Sequence, residues 1–147
     1  MATSSVSRLA ETSSNSNRAL QVATAAARVA AENRGRDVVL LDMREVTDEC
    51  DYFVLVTGTS RRQLHAMSEE IDHLLEGKLG DRRLGIEGYV DSRWILLDYG
   101  NVVIHLFEAD AREYYALEQL WCAARRVPLD LSDVHEVATL RLGRMAK

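Results

Sequence analysis

Two apolar runs of strand length enclose a short polar segment in the second half of the chain. The runs are residues 94–97 and 102–107, and the segment between them reads Asp98-Tyr99-Gly100-Asn101. Apolar runs that are joined by a short Gly- and Asn-containing turn predict a β-hairpin. Both runs are apolar on both faces, so we expect the hairpin to be covered on each side. The helix predicted after it supplies one cover. The other is either a second helix or a partner protein.

Two earlier apolar runs predict further strands, at residues 38–41 and 52–56. The second is apolar throughout, which is typical of a central strand. Helical patterns alternate with these runs. The chain therefore predicts an α/β fold, with a small mixed β-sheet flanked by helices.

Three segments have the pattern of amphipathic helices. The alanine-rich residues 18–33 predict a helix that ends near Gly35 and packs through Leu20, Ala23, Ala27 and Ala30. In the second, Ser60 with Gln63 predicts a capping box, and the apolar face is Leu64, Met67, Ile71 and Leu74. In the third, Asp110 with Glu113 repeats the capping pattern, and the predicted buried face is Tyr114, Leu117 and Trp121.

The chain of 147 residues is long enough for one domain. Residues 1–17 are rich in Ser, Thr and Asn, which predicts a disordered N-terminal lead-in, with only a faint transit-peptide character. Residues 18–127 form the predicted domain. Pro128 then starts a C-terminal extension, residues 128–147, for which a short helix behind Ser132 and a loose tail are both open. No apolar run approaches the roughly 20 residues of a membrane span.

Charge and cysteine content narrow the expected partners. The chain carries a net charge of −5, and residues 18–124 hold 12 basic and 19 acidic residues. Such an acidic surface repels nucleic-acid phosphates and suits a basic protein. We therefore expect protein contacts and no direct reading of nucleic acid.

Cys50 and Cys122 have no zinc-site spacing and predict free thiols in a reducing compartment. The bacterial cytoplasm is the expected location, with an organelle as the minor alternative.

The turn Gly58-Thr59-Ser60 leaves a predicted strand and enters a helix, a place where backbone N–H groups favour an anion. A nucleotidyltransferase would add two convergent carboxylates for metal ions on the following strand. That strand has one, Asp98, at a turn where Asp is common. Glu87 and Asp91 lie outside a clear strand. We therefore predict a structural turn, with anion binding as the alternative, and neither a metal, nor a cofactor, nor catalysis.

The histidines give little sign of chemistry. His65 and His73 stand too far apart on one helix to share a metal, and His135 lies in the extension. His105, on a strand with Val103 and Phe107, predicts a core residue that has one hydrogen-bonded nitrogen. Arg61 and Arg62 at a helix N-terminus predict either solvated or ion-paired side chains, or a contact with RNA or an acidic partner.

Trp94 is open to two interpretations. Trp94, Leu96 and Asp98 share one face of a strand, since successive side chains alternate. An apolar pair with an acidic end is typical of a protein-binding surface with a charged rim. The alternative places Trp94 in the core beneath a helix.

Four blocks of sequence, in order, resemble one known family. They are residues 51–63 (DYFVLVTGTSRRQ), Glu87-Gly88, residues 94–105 (WILLDYGNVVIH) and residues 112–121 (REYYALEQLW). The series resembles the ribosomal silencing factor family, also called the Iojap family, over about residues 18 to 127. The resemblance implies an α/β fold similar to nucleotidyltransferases, without their catalytic carboxylates, and often dimeric.

The resemblance also implies a function. Family members are non-enzymatic translation inhibitors that bind the large ribosomal subunit through its fourteenth protein, at the intersubunit face, and prevent the small subunit from joining. On this basis we expect Trp94 and Leu96 to be apolar anchors, and Asp98, Asn101 and Glu87 to be rim contacts. The alternatives are a factor for large-subunit biogenesis, which requires the same docking, and a nucleotide-binding enzyme that uses the Gly58 turn.

Overall fold

A six-stranded mixed β-sheet with helices on both faces forms the body of the protein. The computed structural model describes residues 2–90 and 93–132. The strands are β1 (Arg36–Asp42), β2 (Tyr52–Gly58), β3 (Gly85–Glu87), β4 (Trp94–Asp98), β5 (Val102–Glu108) and β6 (Arg125–Val127). The helices are α1 (Ala2–Glu32), α2 (Arg61–Asp72), which continues into a π-helical turn (His73–Lys78), α3 (Ala109–Tyr115) and α4 (Leu117–Leu120). This arrangement confirms the predicted mixed sheet flanked by helices.

The strand order is β3-β4-β5-β2-β1-β6, and β2 lies near the centre as its apolar sequence predicted. The β2–β5 pair is parallel, and the other four pairs are antiparallel. The predicted hairpin is confirmed, with Trp94 opposite Phe107 and Asp98 opposite Val103. Its turn is closed by the Tyr99 N–H, which donates to the Val102 carbonyl at 2.9 Å. Gly100 has a positive φ of 87° there, which glycine adopts without steric cost.

The helices α1 and α2 cover one face of the sheet. Small side chains on α1 allow its backbone to lie close to the strands. The buried stripe of α1 comprises Ala19, Val22, Ala23, Ala26, Ala27 and Ala30. On α2, Leu64, Met67 and Ile71 are buried as predicted. The fourth core position is Leu75 rather than the predicted Leu74, which is half-buried, and it falls within the π-helical turn, where helical spacing changes.

The N-terminal helix is longer than the sequence predicted. Helix α1 begins at Ala2, whereas residues 1–17 were predicted to be disordered. That segment contains neither glycine nor proline, so nothing in it interrupts the helix propagating back from residue 18. At the other end, Arg34 adopts the left-handed conformation with φ 67°. Gly35 is required for close packing instead, because a Cβ atom there would lie 2.6 Å from Val56 Cγ1.

The predicted third helix is broken into α3 and α4. Ala116, between them, has φ 47° and ψ 48°, in the left-handed region. The N-cap of α3 is Glu108, so the predicted capping box of Asp110 and Glu113 is wrong, and the Asp110 side chain is 88% exposed. The predicted burial of Tyr114 is also wrong, because the side chain is 83% exposed. Ala111 takes the buried position on α3.

A second core cluster lies on the opposite face of the sheet. It contains Leu41, Met43, Cys50, Leu55, Phe107 and Ala111. Leu117 and Trp121, two of the three residues predicted to be buried on the last helix, pack against it. The C-terminal extension, for which a short helix behind Ser132 and a loose tail were both open, lies beyond the described residues after Ser132.

Candidate partner-binding face

The two sides of β4 differ in how well they are covered. Ile95 and Leu97 point towards α1 and α2 and are fully buried, each with 0% exposure. Trp94, Leu96 and Asp98 alternate with them on the other side and are half-buried. Helix α3, on that side, packs on β5 and β2. We call Trp94, Leu96 and Asp98 the outer face of β4.

Strand pairing brings Glu87 to this outer face. The sequence did not predict β3, but Glu87 lies on it directly opposite Leu96, so the two side chains share one side of the sheet. Glu87 is exposed at the sheet edge. The structure thus places four of the five predicted partner-binding residues on one side of two neighbouring strands. Trp94 and Leu96 form a half-buried pair, and two carboxylates lie next to Leu96, that of Glu87 across the strand pair and that of Asp98 further along β4.

Asp98 and Asn101 have structural roles in the turn between β4 and β5. The Gly100 N–H donates to Asp98 Oδ1 at 2.8 Å, the local hydrogen bond that makes Asp frequent in turns. The Asn101 carbonyl accepts from the N–H groups of Asp51 and Tyr52, at 2.8 and 3.1 Å, which ties the turn to the start of β2. The Asn101 residue is exposed at this end of the sheet. The Asn101 carbonyl is therefore occupied, and the predicted partner contact of this residue would have to use its other atoms.

Trp94 lies in a group of rings that links the strand to α3. Its ring stacks on Phe107 at a centroid distance of 5.2 Å, and Tyr115 tilts against it at 4.7 Å. The indole Nε1–H donates to Nδ1 of His105 at 3.0 Å. The packing of this ring against Phe107 of the core supports the core interpretation in part, and the residue remains half-buried, so the interface interpretation stays a prediction. Such a partly supported aromatic ring is a typical anchor in protein interfaces.

His105 is buried beneath this group, with 4% exposure, which confirms the predicted core histidine with one hydrogen-bonded nitrogen. Because Nδ1 accepts from Trp94, the proton of the neutral ring resides on Nε2. Burial lowers the pKa of His105 to about 4, so the ring is neutral at physiological pH. Nε2 is buried without a hydrogen-bond partner among the described residues.

The Gly58 turn is built for close packing. A Cβ atom at Gly58 would lie 2.6 Å from Leu64 Cδ2 and 3.0 Å from Met67 Cε, so only glycine lets α2 approach β2 this closely. Ser60 caps α2 by accepting from the Gln63 N–H at 3.1 Å, as predicted. The Gln63 side chain in turn accepts from the Thr59 N–H at 2.5 Å. Two of the N–H groups at this turn, those of Thr59 and Gln63, are thus engaged within the protein, which favours the structural interpretation of the turn.

His65, one of the histidines singled out in the sequence, has a structural role. His65 stacks on Tyr89 at 4.2 Å and bonds through Nε2 to its carbonyl, while the Tyr89 hydroxyl donates to Glu69 at 3.0 Å. His65 and Glu69 therefore hold the segment that precedes β4. Within residues 2–90 and 93–132, no group of three or more His, Cys, Asp or Glu side chains is placed to hold a metal ion.

Both cysteines are free, as expected. Cys50 is buried, and burial together with the charges of Asp51 and Glu49 raises the pKa of its thiol to about 11, so it is unreactive. Cys122 is exposed. In the described part of the chain, no helix is both long and apolar enough to cross a membrane.

The sequence missed the aromatic support of the outer face. Phe53, Tyr115 and Phe107 were not assigned to it, and the contact between Trp94 and His105 was not foreseen. The register of the hairpin would have predicted these neighbours. Once Asp98 pairs with Val103, Leu96 must lie opposite His105 and Trp94 opposite Phe107. The turn composition predicted the hairpin but left this register undetermined.

Comparisons with known proteins point to one family. A family model described as "Ribosomal silencing factor during starvation" matches residues 16–143. The chain is 37% identical over 117 residues to the ribosomal silencing factor RsfS of Bacillus subtilis, covering 79% of this chain and 95% of that protein. It is 35% identical over 92 residues to a mouse protein named mitochondrial assembly of ribosomal large subunit protein 1, covering 61% of this chain and 40% of that protein.

A solved structure has the same fold. A crystal structure of a Chromobacterium violaceum protein superposes with a TM-score of 0.67 and 27% sequence identity, covering 75% of this chain and 90% of that one. The match extends the agreement from sequence to three-dimensional structure.

Proposed function

The chain belongs to the ribosomal silencing factor family, and on that premise we propose that it inhibits translation by binding the large ribosomal subunit and preventing the small subunit from joining. The contact is with the fourteenth protein of the large subunit at the intersubunit face, as the family resemblance implies. No chemical step is required. A bound domain of this size excludes the small subunit by occupying its place, so inhibition follows mass action.

One observation carries the proposal: the two sides of β4 have unequal cover. Ile95 and Leu97 are sealed under helices, whereas Trp94 and Leu96 on the same strand are only half-buried. Burying the remaining apolar surface of these two side chains against a partner is favourable, at roughly 25 cal/mol per Å². This unequal cover supports the outer face of β4 as the docking surface.

The charge of the flanks fits a basic partner. Glu87 is exposed on the edge strand and Asp98 is half-buried at the turn, on either side of Leu96. The whole chain carries a net charge of −5, which favours encounter with a basic protein over nucleic-acid phosphates. We therefore assign Trp94 and Leu96 as anchors and Glu87, Asp98 and the Asn101 side chain as rim contacts.

Co-sedimentation on sucrose gradients tests the proposal. The purified protein is mixed separately with large subunits, small subunits and intact ribosomes. We expect it to travel with large subunits alone and to reduce the yield of intact ribosomes when both subunits are present. Association with small subunits only, or with none of these particles, would refute the proposal.

Assembly of the large subunit is a second candidate function that requires the same docking. The name of the mouse relative motivates it, since that protein is named for such assembly. Both functions require docking on the large subunit, so the state of the particle distinguishes them. Silencing predicts binding to mature subunits with an effect on joining, whereas an assembly role predicts that depletion of the protein causes large-subunit precursors to accumulate.

A further inference from the structure

The hydrogen bond between Trp94 and His105 fixes the orientation of the indole. The indole Nε1–H donates to His105 Nδ1 at 3.0 Å, across two neighbouring strands. An indole has one N–H, so this bond selects one of the ring orientations that packing alone would permit. Contacts of the indole with the rings of Phe107 and Tyr115, at centroid distances of 5.2 and 4.7 Å, complete the support.

A histidine at position 105 accepts the indole hydrogen bond at a cost to the stability of the fold. It is buried with 4% exposure, and its Nε2 has no hydrogen-bond partner among the described residues. A buried donor without a partner destabilises the folded state, and an aliphatic side chain of similar size would avoid that cost. The neighbouring core positions Ile104 and Leu106 show that the strand accommodates such side chains.

We propose that His105 is a positioning residue for docking: its Nδ1 holds the Trp94 indole in the orientation that meets the large subunit. This inference rests on the proposed function, because it assumes that Trp94 is an anchor. His105 itself is buried beneath the rings and acts only through Trp94. An anchor that is oriented before binding loses less rotamer freedom in the complex and therefore binds more tightly.

A double-mutant cycle tests the inference. His105→Leu removes the acceptor, Trp94→Phe removes the donor, and the affinity for large subunits is measured for each variant and for the pair. We expect His105→Leu to weaken binding by about 3- to 10-fold, the range of one hydrogen bond. In the Trp94→Phe background, the same change should weaken binding by less than about 2-fold, since no N–H remains to be held.

His105→Asn provides a rescue variant. The Asn side-chain oxygen falls near the position of Nδ1 and accepts a hydrogen bond, so we expect it to recover most of the affinity lost in His105→Leu. Equal weakening by His105→Leu in both backgrounds would overturn the inference, because His105 would then act independently of the indole. So would unchanged affinity in the single variant.

An NMR measurement separates this inference from the proposed function. The two tryptophans, Trp94 and Trp121, each give one indole N–H signal, and Trp94→Phe identifies the first. His105→Leu should shift the Trp94 signal in the direction of a lost hydrogen bond and leave that of Trp121 in place. An unmoved Trp94 signal would refute the positioning role. Failure of the unmutated protein to bind large subunits would instead refute the proposed function and the docking role of Trp94 with it.

Discussion

Trp94 and Ile95 are consecutive residues of β4 with opposite surroundings. Ile95 is sealed against α1 and α2, while Trp94 stacks on Phe107 and is half-buried. Alternation along a strand produces this division, because neighbouring side chains point to opposite faces. One strand therefore contributes both to the core and to the candidate docking surface, and single substitutions can separate the two roles.

Trp94→Ala should weaken binding to large subunits by more than about 1 kcal/mol, because it removes the proposed aromatic anchor. Ile95→Val is the matched control: it removes one methyl group from the buried side of the same strand and should cost about 0.5–1.5 kcal/mol of stability. Sedimentation measures the binding of each variant, and thermal unfolding measures its stability. We expect the control to bind as the unmutated protein does.

Binding by a folded Trp94→Ala protein at undiminished affinity would remove Trp94 from the interface. A stability loss of about 3–5 kcal/mol with unchanged binding by the folded fraction would show that it is a core residue alone.

His105 predicts a pH dependence of stability. Burial lowers its pKa in the folded protein to about 4, from an ordinary value of 6.5. Between these values the unfolded chain binds a proton at His105 and the folded chain does not, so stability falls as the pH decreases from 6.5 to 4. The full shift corresponds to about 3 kcal/mol, measurable by denaturant unfolding at several pH values.

His105→Leu serves as the control, since it has no proton to bind and should flatten the curve across this window. Asp42 does not interfere there. Its pKa is lowered, chiefly by the hydrogen bond from Arg44, so its contribution is lost only below the ordinary value of 3.8. Equal pH slopes in the two proteins between pH 4 and 6.5 would contradict the assignment to His105.

At the scale of elements, the β2–α2 junction offers a comparison of two glycines. Gly58→Ala should destabilise the protein by about 1–3 kcal/mol, because the new Cβ would meet Leu64 at 2.6 Å. Gly77→Ala adds the same methyl group in the helical turn after α2, where the nearest contact is His73 Nδ1 at 4.0 Å. That substitution should stabilise the protein by about 0.5–1 kcal/mol.

Denaturant unfolding of both variants checks this contrast. Comparable stability of the two alanine variants would mean that the junction is not closely packed. The structural role of the Gly58 turn would then lose its support, and nucleotide binding would have to be tested there.

The sequence predicted those helices and strands whose residue pattern is contained within the element itself. The hairpin, the central strand β2 and the cap at Ser60 all follow from local patterns of apolar residues and turn residues, and the structure contains each of them. These signals are local because side-chain alternation and helix capping act over two to four residues.

The missed elements depend on partners elsewhere in the chain. Strand β3 has three residues and is defined by its pairing with β4, and β6 contains Arg125 and Arg126, which are not typical of a strand. The latter is stabilised by pairing with β1, where Arg125 also lies 3.4 Å from the Asp42 carboxylate. The break at Ala116 is also not local, since alanine is a strong helix former. Contacts made beyond the break accompany the change of direction: Leu117 and Trp121 pack on the second core cluster, and Glu118 accepts hydrogen bonds from Arg112.

In the molecule as a whole, one face of the sheet is fully covered by helices and the other is only partly covered. Helices α1 and α2 cover one face along the length of β1, β2, β4 and β5, while α3 and α4 cover part of the other. The uncovered part coincides with the outer face of β4. Three of the five candidate partner-binding residues named from the sequence lie there and a fourth, Glu87, lies beside them on β3, because alternation and pairing bring them together.

The supporting aromatic residues were not predictable in the same way. The rings that contact Trp94 are those of His105 and Phe107 on β5 and Tyr115 at the end of α3, and their approach depends on strand register and on where α3 ends. Sequence periodicity reports which face a residue occupies but not which residue of another element it meets. The site was therefore predicted as a list of residues, and the structure adds how they are held.

A subunit-joining assay tests directly whether the protein, once bound to the large subunit, prevents the small subunit from joining. Large subunits are incubated with increasing amounts of the protein, small subunits are then added, and light scattering follows the formation of intact ribosomes. We expect the yield to fall with protein concentration as large subunits become occupied, and the Trp94→Ala protein to require a higher concentration for the same effect. An undiminished yield of intact ribosomes, while the protein remains bound to the large subunit, would contradict the proposal that the bound protein prevents the small subunit from joining.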